Sequence, residues 1–423
     1  MASINRTGIG FGAVKAMLCL ATLLTAMPAD ARTPSPLAEA RTQCLRGGKL
    51  TADQRIDGCS ALITAKGTKK KDLAGAYLTR GADYLGKDEI DRAIGDFNEL
   101  IRLDPKFYGV FTNRGEAYRR KGEVDRAIAD LDRAIALNRK DSIAWFNRGI
   151  THSDKGEPEK AIADYNQAIR LKSRDAWYYN NHGNSYVDIN DFEHALADYN
   201  QAIMLDPKFA LAYFNRGTAY RNRGYDTPAL SDLNDSIRLN PKYAAAYGNR
   251  ARIYRDHGKI DLALADFDQS LRLAPGESRD AYARGNIHFD RHDYLLALAD
   301  YDRAIKSNPK YAAALNARCL TRAILGRAQE GIEDCNESLK HRPGDAYTLD
   351  SRAFCHLKLG EFDTAIKGFT LALGVNPKLP NALYGRGIAK RKSGDENGAE
   401  SDIAAAKAIK ADIADEFRSY GIE

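Results

Sequence analysis

Small, apolar and polar positions return along this chain with a period of 34 residues. One position in each copy is glycine, alanine or cysteine, and a second small residue follows twelve residues later. Two helices that cross closely need small side chains at the crossing, because larger ones hold the axes apart. The pattern therefore predicts a pair of short antiparallel helices per copy. The first small position is Gly81, Gly115, Gly149, Gly183, Gly217, Ala251, Gly285, Cys319, Ala353 and Gly387.

The other apolar and turn residues keep the same phase. Aromatic residues fill the remaining core positions of both helices, for example Tyr118 and Tyr165. Glycine stands just past the first helix, where a left-handed cap is favoured. Proline closes most copies, since it has no amide hydrogen with which to continue a helix. The cap glycines are Gly122, Gly156, Gly224, Gly258, Gly326, Gly360 and Gly394; the prolines are Pro105, Pro207, Pro241, Pro275, Pro309, Pro343 and Pro377.

The period and the Gly…Tyr…Ala…Phe/Tyr…Pro spacing resemble the tetratricopeptide repeat. The resemblance covers ten tandem copies, roughly residues 74–413. It implies an all-α fold, a right-handed α-α solenoid (superhelix) of ten 34-residue helix-turn-helix repeats with N- and C-terminal caps. It also implies a concave groove that binds a protein or peptide. One departure recurs: arginine precedes the glycine, where leucine is frequent in this family.

Residues 1–31 have the pattern of a secretory signal peptide. Arg6 and Lys15 supply a positive leader, Ala16–Met27 is apolar, and Ala29–Ala31 is a small-x-small cleavage site. The apolar run is shorter than the roughly 20 residues that span a bilayer. The sequence therefore predicts an exported bacterial protein, periplasmic or secreted, with no membrane span after signal cleavage. An uncleaved anchor is the alternative.

Two end segments flank the predicted repeats. Residues 32–73 are interpreted as an N-terminal capping helical hairpin and linker, because an end repeat lacks one neighbour. Residues 414–423 are interpreted as the end of a C-terminal capping helix. There Phe417 and Tyr420 are expected to cover the open end, whereas Asp415, Glu416 and Arg418 are expected to face water.

Two disulfides are candidates. Cys44 and Cys59 lie one on each helix of the leading hairpin, and an oxidising compartment would favour a bridge. Cys319 and Cys335 repeat this arrangement in the eighth copy. Cys355 competes for Cys335, so the second pairing stays open.

Arginine and aspartate recur sixteen residues apart. Arginine precedes the first small position in nine copies, and His182 replaces it in the fourth. Aspartate follows in nine copies, and Gly368 is the exception. One interpretation is a structural ladder of ion pairs, each contributing about 0–1 kcal/mol if partly exposed. The other is that the arginines reach an anionic partner.

An asparagine ladder marks the predicted groove. An amide can donate to and accept from a peptide backbone at once, so one asparagine per repeat could hold an extended chain. Asparagine could also simply suit the helix geometry. Arginines and aromatic residues surround the ladder. The predicted groove residues are Asn113, Asn147, Asn181, Asn215, Asn249, Arg119, Arg221, Arg252, Arg255, Trp177, Phe214 and Tyr282.

The remaining chemistry points away from catalysis. The sequence has no His-Glu-x-x-His, no Cys-x-x-Cys and no glycine-rich phosphate loop. The formal net charge of +6 is mild for 423 residues and does not indicate nucleic acid. We therefore expect a non-catalytic protein-protein interaction scaffold without metal or cofactor. The alternative is an envelope or exopolysaccharide assembly factor that binds an anionic polysaccharide or its synthesis and export machinery.

Overall fold

The computed structural model describes residues 35–46 and 50–422. The signal peptide predicted over residues 1–31 lies outside them. Within these ranges the chain forms 23 α-helices and no strand. None of these helices combines the length and apolar character that crossing a membrane would require.

The helices alternate along the chain as first and second members of antiparallel hairpins. The leading hairpin consists of α1 (Pro36–Arg46) and α2 (Ala52–Thr64). The following first helices are α3 (Lys70–Gly86), α5 (Tyr108–Lys121), α7 (Ser142–Lys155), α9 (Ala176–Asp188), α11 (Ala210–Asn222), α13 (Ala244–Asp256), α15 (Ser278–Asp290), α17 (Ala312–Ile324), α19 (Ala346–Lys358) and α21 (Pro380–Lys392).

Each first helix is followed by a second helix, and one short helix closes the chain. The second helices are α4 (Ile90–Leu103), α6 (Val124–Leu137), α8 (Pro158–Leu171), α10 (Phe192–Leu205), α12 (Asp226–Leu239), α14 (Ile260–Leu273), α16 (Tyr294–Ser307), α18 (Ala328–His341), α20 (Phe362–Val375) and α22 (Glu396–Ile409). The last helix is α23 (Ile413–Ser419).

The chain divides into two compact units. Unit 1 runs to Leu239 and contains α1 to α12; unit 2 starts at Asn240 and contains α13 to α23. In each unit every hairpin packs on the next, so the expected α-α solenoid is confirmed within each.

The small residues bring the helices of a hairpin close together, as expected. A Cβ atom on Gly81 would lie 2.6 Å from the ring of Phe97, and one on Gly285 would lie 2.7 Å from the ring of Tyr301. Both rings are fully buried. An aromatic residue of the second helix therefore fills the space left by the missing side chain.

The turn prediction is confirmed and extended. All seven cap glycines have positive φ. In three copies the same position holds Asp88, Asn190 or His292, with φ of 60–62°. The proline prediction needs a correction, because α6 and α8 end in the same register although Arg139 and Ser173 replace proline. Packing therefore sets the end of the second helix, and proline only reinforces it.

The recurrent arginine and aspartate form a ladder. Arg148 illustrates it: Nε and Nη2 donate to the carboxylate of Asp164 at 2.8 and 2.7 Å, and Nη1 donates to Asp132 of the preceding hairpin at 2.6 Å. The side chains of Arg148 and Asp164 are 19% and 5% exposed. This arrangement favours the structural interpretation, because the guanidinium is fully engaged. The equivalent pairs are Arg80–Asp96, Arg114–Asp130, Arg216–Asp232, Arg250–Asp266, Arg284–Asp300, Arg318–Asp334 and Arg386–Asp402.

Both candidate disulfides have bonded geometry. The Sγ atoms of Cys44 and Cys59 are 2.12 Å apart, and those of Cys319 and Cys335 are 2.09 Å apart. Cys355 is buried, and its Sγ lies 3.6 Å from that of Cys319. Burial raises the pKa of the Cys355 thiol to about 12, so the thiol stays protonated at neutral pH.

Candidate functional site

The first helices form the inner side of each unit. Successive first helices contact one another more extensively than successive second helices do, so each array curves toward its first helices. The unit 1 face is here the surface formed by α5, α7, α9 and α11. The unit 2 face is the surface formed by α15, α17, α19 and α21.

The predicted asparagines lie on first helices, but in unequal surroundings. Asn113 and Asn147 are buried, at 2% and 4% exposure. Asn181 Nδ2 donates to the Trp177 carbonyl of its own helix at 2.9 Å. Asn215 Nδ2 donates to Asn180 Oδ1 at 2.9 Å. The fifth, Asn249, is half-buried on α13 of unit 2. That these asparagines hold the backbone of an extended chain stays a prediction.

Two amides of the unit 1 face have unused donors. Asn113 Nδ2 and Asn180 Nδ2 are buried and find no acceptor among the residues that the structure describes. A buried donor without a partner costs about 1–3 kcal/mol, so each would gain from a carbonyl or water oxygen. Asn180 was not among the predicted groove residues, because it lies one residue off the 34-residue ladder. Its signal in the sequence was the doublet that it forms with the ladder residue Asn181.

The predicted groove arginine of unit 1 is held inside an ion-pair cluster. Arg119 donates to Glu116 and to Asp154, both at 2.8 Å, and Arg120 donates to Glu116 at 2.7 Å. Burial alone would raise the pKa of Glu116, but the hydrogen bonds from Arg119 and Arg120 hold it below its ordinary value. The positive charge of Arg119 is therefore compensated within the protein. The sequence pattern did not identify Glu116 as part of this cluster.

The other predicted arginines lie on different helices. Arg221 is half-buried on α11 in unit 1. In unit 2, Arg252 pairs with Asp280, and Arg255 pairs with Asp256 at 2.8 Å. Ser270 also donates to the Asp280 carboxylate, which is 1% exposed. These pairs compensate the positive charge that the sequence suggested for the groove.

The predicted groove aromatics pack against other rings or remain half-buried. Trp177 contacts Phe209, with ring centroids 4.6 Å apart, and Phe214 is half-buried on α11. In unit 2, Tyr282 contacts Tyr311 at 5.1 Å. Trp177 and Tyr282 therefore contribute to packing between hairpins as well as to the inner surface.

The unit 2 face holds the end of the chain itself. The C-terminal segment, defined here as residues 410–422, places Phe417 against Phe354 of α19 and Tyr384 of α21, at centroid distances of 5.7 and 4.8 Å. Tyr420 contacts Phe354 at 5.9 Å and Phe289 of α15 at 6.3 Å. The segment thus contacts first helices well beyond the last hairpin.

Polar contacts fix this segment in place. Lys358 Nζ donates to the carbonyls of Tyr420 and Gly421 at 2.9 and 3.4 Å. Glu416 accepts from Asn381 Nδ2 at 3.2 Å and pairs with Lys410. The expectation that Glu416 faces water was therefore wrong, because its carboxylate closes a hydrogen-bond network. Asp415 and Arg418 are exposed as expected.

One carboxyl group beside the segment is unusual. Asp350 of α19 has a buried Oδ1 without a hydrogen-bond partner among the described residues. Burial, with a further contribution from the negative charge of Glu416, raises the pKa of Asp350 to about 8. Asp350 therefore holds a proton at neutral pH, and ionising it would place a second negative charge beside that of Glu416 in the segment.

The described residues contain no group of three or more histidine, cysteine or acidic side chains that could hold a metal ion.

Family models match most of the repeat region. A model described as tetratricopeptide repeat matches residues 78–138, 112–176, 228–278 and 282–346, which is more than half of the chain. A model described as TPR repeat matches residues 183–224. No curated protein matches this chain.

Solved structures share parts of the array. A tetratricopeptide repeat protein from Parabacteroides merdae is 21% identical, over 59% of this chain and 98% of that one, with a TM-score of 0.48. YrrB, described as a TPR protein with an unusual peptide-binding site, is 26% identical over 44% and 97%, at 0.36. MamA from Desulfovibrio magneticus is 18% identical over 40% and 96%, at 0.37.

Proposed function

Because the chain belongs to the tetratricopeptide repeat family, we propose that it is a non-catalytic protein-protein interaction scaffold whose unit 1 face binds an extended peptide or partner segment. The supporting observation is the run of amides along the first helices of this face, of which Asn181 and Asn215 are half-buried, while Asn113 and Asn180 beneath them each keep a donor without an acceptor among the described residues. Backbone carbonyls of an extended chain are acceptors of the kind these donors need. Such contacts would hold a partner largely independently of its side chains.

The experiment uses a photo-crosslinking residue on the exposed rim of α7 and identifies what is captured in intact cells by mass spectrometry. Alanine at Asn113, Asn180 and Asn215 should reduce capture at least about tenfold, since each lost hydrogen bond contributes about 0.5–1.5 kcal/mol. The matched control is Asn166→Ala, an exposed asparagine on the second helix α8. Unchanged capture by the triple variant would reject the unit 1 face as the site.

A separate binding assay addresses the anionic polysaccharide. No observation in the described structure favours it, because Arg119, Arg252 and Arg255 are each paired with carboxylates. Glycan binding by the purified chain that weakens steeply with salt would count against the peptide proposal.

The proposed compartment is the periplasm, or the exterior after secretion. Its supports are the signal-peptide pattern of residues 1–31 and two cysteine pairs in bonded geometry. The mature protein should begin at Arg32 and show one free thiol under denaturation, that of Cys355. A mature N-terminus at Met1, or five reactive thiols in residues 32–423, would contradict export.

A further inference from the structure

The unit 2 face differs from a bare groove, because a polypeptide already lies on it. Three first helices supply its contacts: Phe289 from α15, Phe354 and Lys358 from α19, and Tyr384 from α21. A cap that only shielded the last hairpin would have needed α21 and α22 alone. The contacts with α15 and α19 therefore go beyond what end-shielding requires.

We propose that the unit 2 face is a second binding site, for an amphipathic helical peptide with an acidic residue followed by aromatic residues three apart, and that the C-terminal segment occupies it until such a partner displaces it. The site is independent of the unit 1 face. Its ligand chemistry is given by Glu416, Phe417 and Tyr420, whose spacing puts both rings on one side of a helix.

The aromatic part of the unit 2 face buries the rings of Phe417 and Tyr420. Phe417 is 2% exposed and Tyr420 is 7% exposed, although α23, which carries Phe417 and is capped by Tyr420, has only seven residues. A helix this short is not stable alone in water. Its conformation therefore depends on the surface beneath it, which is typical of helix-in-groove recognition.

Lys358 binds the backbone of the C-terminal segment. Its ammonium donates to two carbonyls that follow α23, where the helix dipole favours a positive charge. The equivalent positions are Asp256 in α13, Asp290 in α15, Ile324 in α17 and Lys392 in α21, so the repeat register does not require a lysine here. The two hydrogen bonds of Lys358 hold the C-terminal end of α23, and a helical partner of the same length would accept the same bonds.

The contact between the C-terminal segment and the unit 2 face also contains features that weaken it. Asp350 keeps an unpartnered buried oxygen beside the carboxylate of Glu416, and Lys358 is half-buried, which lowers its pKa. Lys410, which pairs with Glu416, belongs to the segment's own attachment to α22. A partner helix with better-placed charges could therefore compete with the tethered segment.

The test uses the full chain and a fluorescent synthetic peptide with the sequence of residues 410–422. Phe417→Ala with Tyr420→Ala in the chain should weaken the internal contact and free the site. Anisotropy should then show about tenfold tighter peptide binding than to the wild-type chain, because a site that is open only part of the time loses affinity in proportion. A peptide with the same two alanines should not bind.

The location is tested by a third substitution. Phe354→Ala, added to the opened chain, should abolish peptide binding, whereas Leu371→Ala, an exposed apolar residue on α20, should leave it unchanged. The unit 1 triple alanine variant should also leave it unchanged, so failure of this proposal and failure of the proposed function are separable. Equal binding to wild-type and opened chains, no binding to either, or binding that survives Phe354→Ala would overturn the proposal.

A measurement on the wild-type chain covers the case in which the opened variant does not fold. Excess ¹⁵N-labelled peptide should increase hydrogen exchange at residues 413–422 of the chain and leave α19 protected. Unaltered exchange at saturating peptide would overturn the proposal. So would a wild-type dimer that Phe417→Ala with Tyr420→Ala dissociates, since the occupant would then be a second copy.

Discussion

The two inner faces are built from equivalent helices, yet they differ in chemistry and in occupancy. The unit 1 face presents amides, two of them with unused donors, and an arginine cluster neutralised by Glu116 and Asp154. The unit 2 face presents aromatic rings, and the C-terminal segment lies on them. The scaffold residues repeat in both units, so the difference comes from positions that the scaffold leaves free. One repeat can therefore supply two kinds of binding surface.

The largest expected effect tests whether the ladder supports both units equally. Asp232→Ala in unit 1 removes the bidentate partner of Arg216, which is 19% exposed. Removing one member of a largely buried pair costs about 3–5 kcal/mol. In unit 2 the ladder is already interrupted at Gly368, and among the described residues Arg352 donates only to Asn336, at 2.8 Å. Arg352→Gln should therefore cost less than about 1 kcal/mol.

Urea unfolding followed by circular dichroism, with hydrogen exchange to locate the loss, measures both ladder variants. Repeat arrays often depart from two-state behaviour, so the exchange data decide which unit is affected. Similar losses for Asp232→Ala and Arg352→Gln would mean that the bidentate pairs contribute no more than surface contacts.

The second effect concerns the N-terminal end of unit 1, which a disulfide closes, whereas packing of the C-terminal segment covers the C-terminal end of unit 2. Cys44→Ser with Cys59→Ser opens a loop with a sequence separation of 15 residues, which should cost about 3 kcal/mol. Hydrogen exchange should show lost protection in α1 and α2 and retained protection from α3 onward, because each hairpin depends mainly on its neighbours. Loss of protection throughout unit 1 would contradict this local picture.

The third effect is specific to unit 2 and depends on pH. The pKa of Asp350 is raised to about 8 in the folded chain, so the folded state binds its proton more tightly than the unfolded state. The contribution of protonated Asp350 to the free energy of unfolding is fully present below the unfolded pKa of about 4. It is lost as pH rises to about 8. The loss should be about 1–2 kcal/mol at most, since release of the segment lets Asp350 ionise in water without unfolding the unit.

Urea unfolding of unit 2 between pH 5 and 9 measures this loss. The Asp350→Asn chain should have a flatter profile, because its amide does not titrate. Identical profiles for the two chains would show that Asp350 does not affect how the segment is held.

Periodicity made the fold and the ladder predictable. Each hairpin repeats the same contacts, so Gly81 against Phe97 and Arg148 against Asp164 follow from one register. The contacts of the C-terminal segment did not follow from it. Lys358 and the Tyr420 carbonyl are 62 residues apart, a separation that is not a multiple of the period. Asp350 and Asn180 could not be singled out from the sequence, because their importance depends on burial without a hydrogen-bond partner, which only the folded structure shows.

The smallest effect tests a position that both units share. Asp88 in unit 1 and His292 in unit 2 have positive φ where most copies have glycine. The left-handed region is unfavourable for a residue with a Cβ by about 1–2 kcal/mol, and less for aspartate, which can bond locally. Asp88→Gly should therefore stabilise unit 1 by about 0.5 kcal/mol, and Asp88→Ala should destabilise it by a similar amount. His292→Gly should gain less, because the ring of His292 bonds the Tyr294 hydroxyl at 2.7 Å. Thermal unfolding of the three variants checks the order, and a larger gain at His292 than at Asp88 would show that this hydrogen bond contributes nothing.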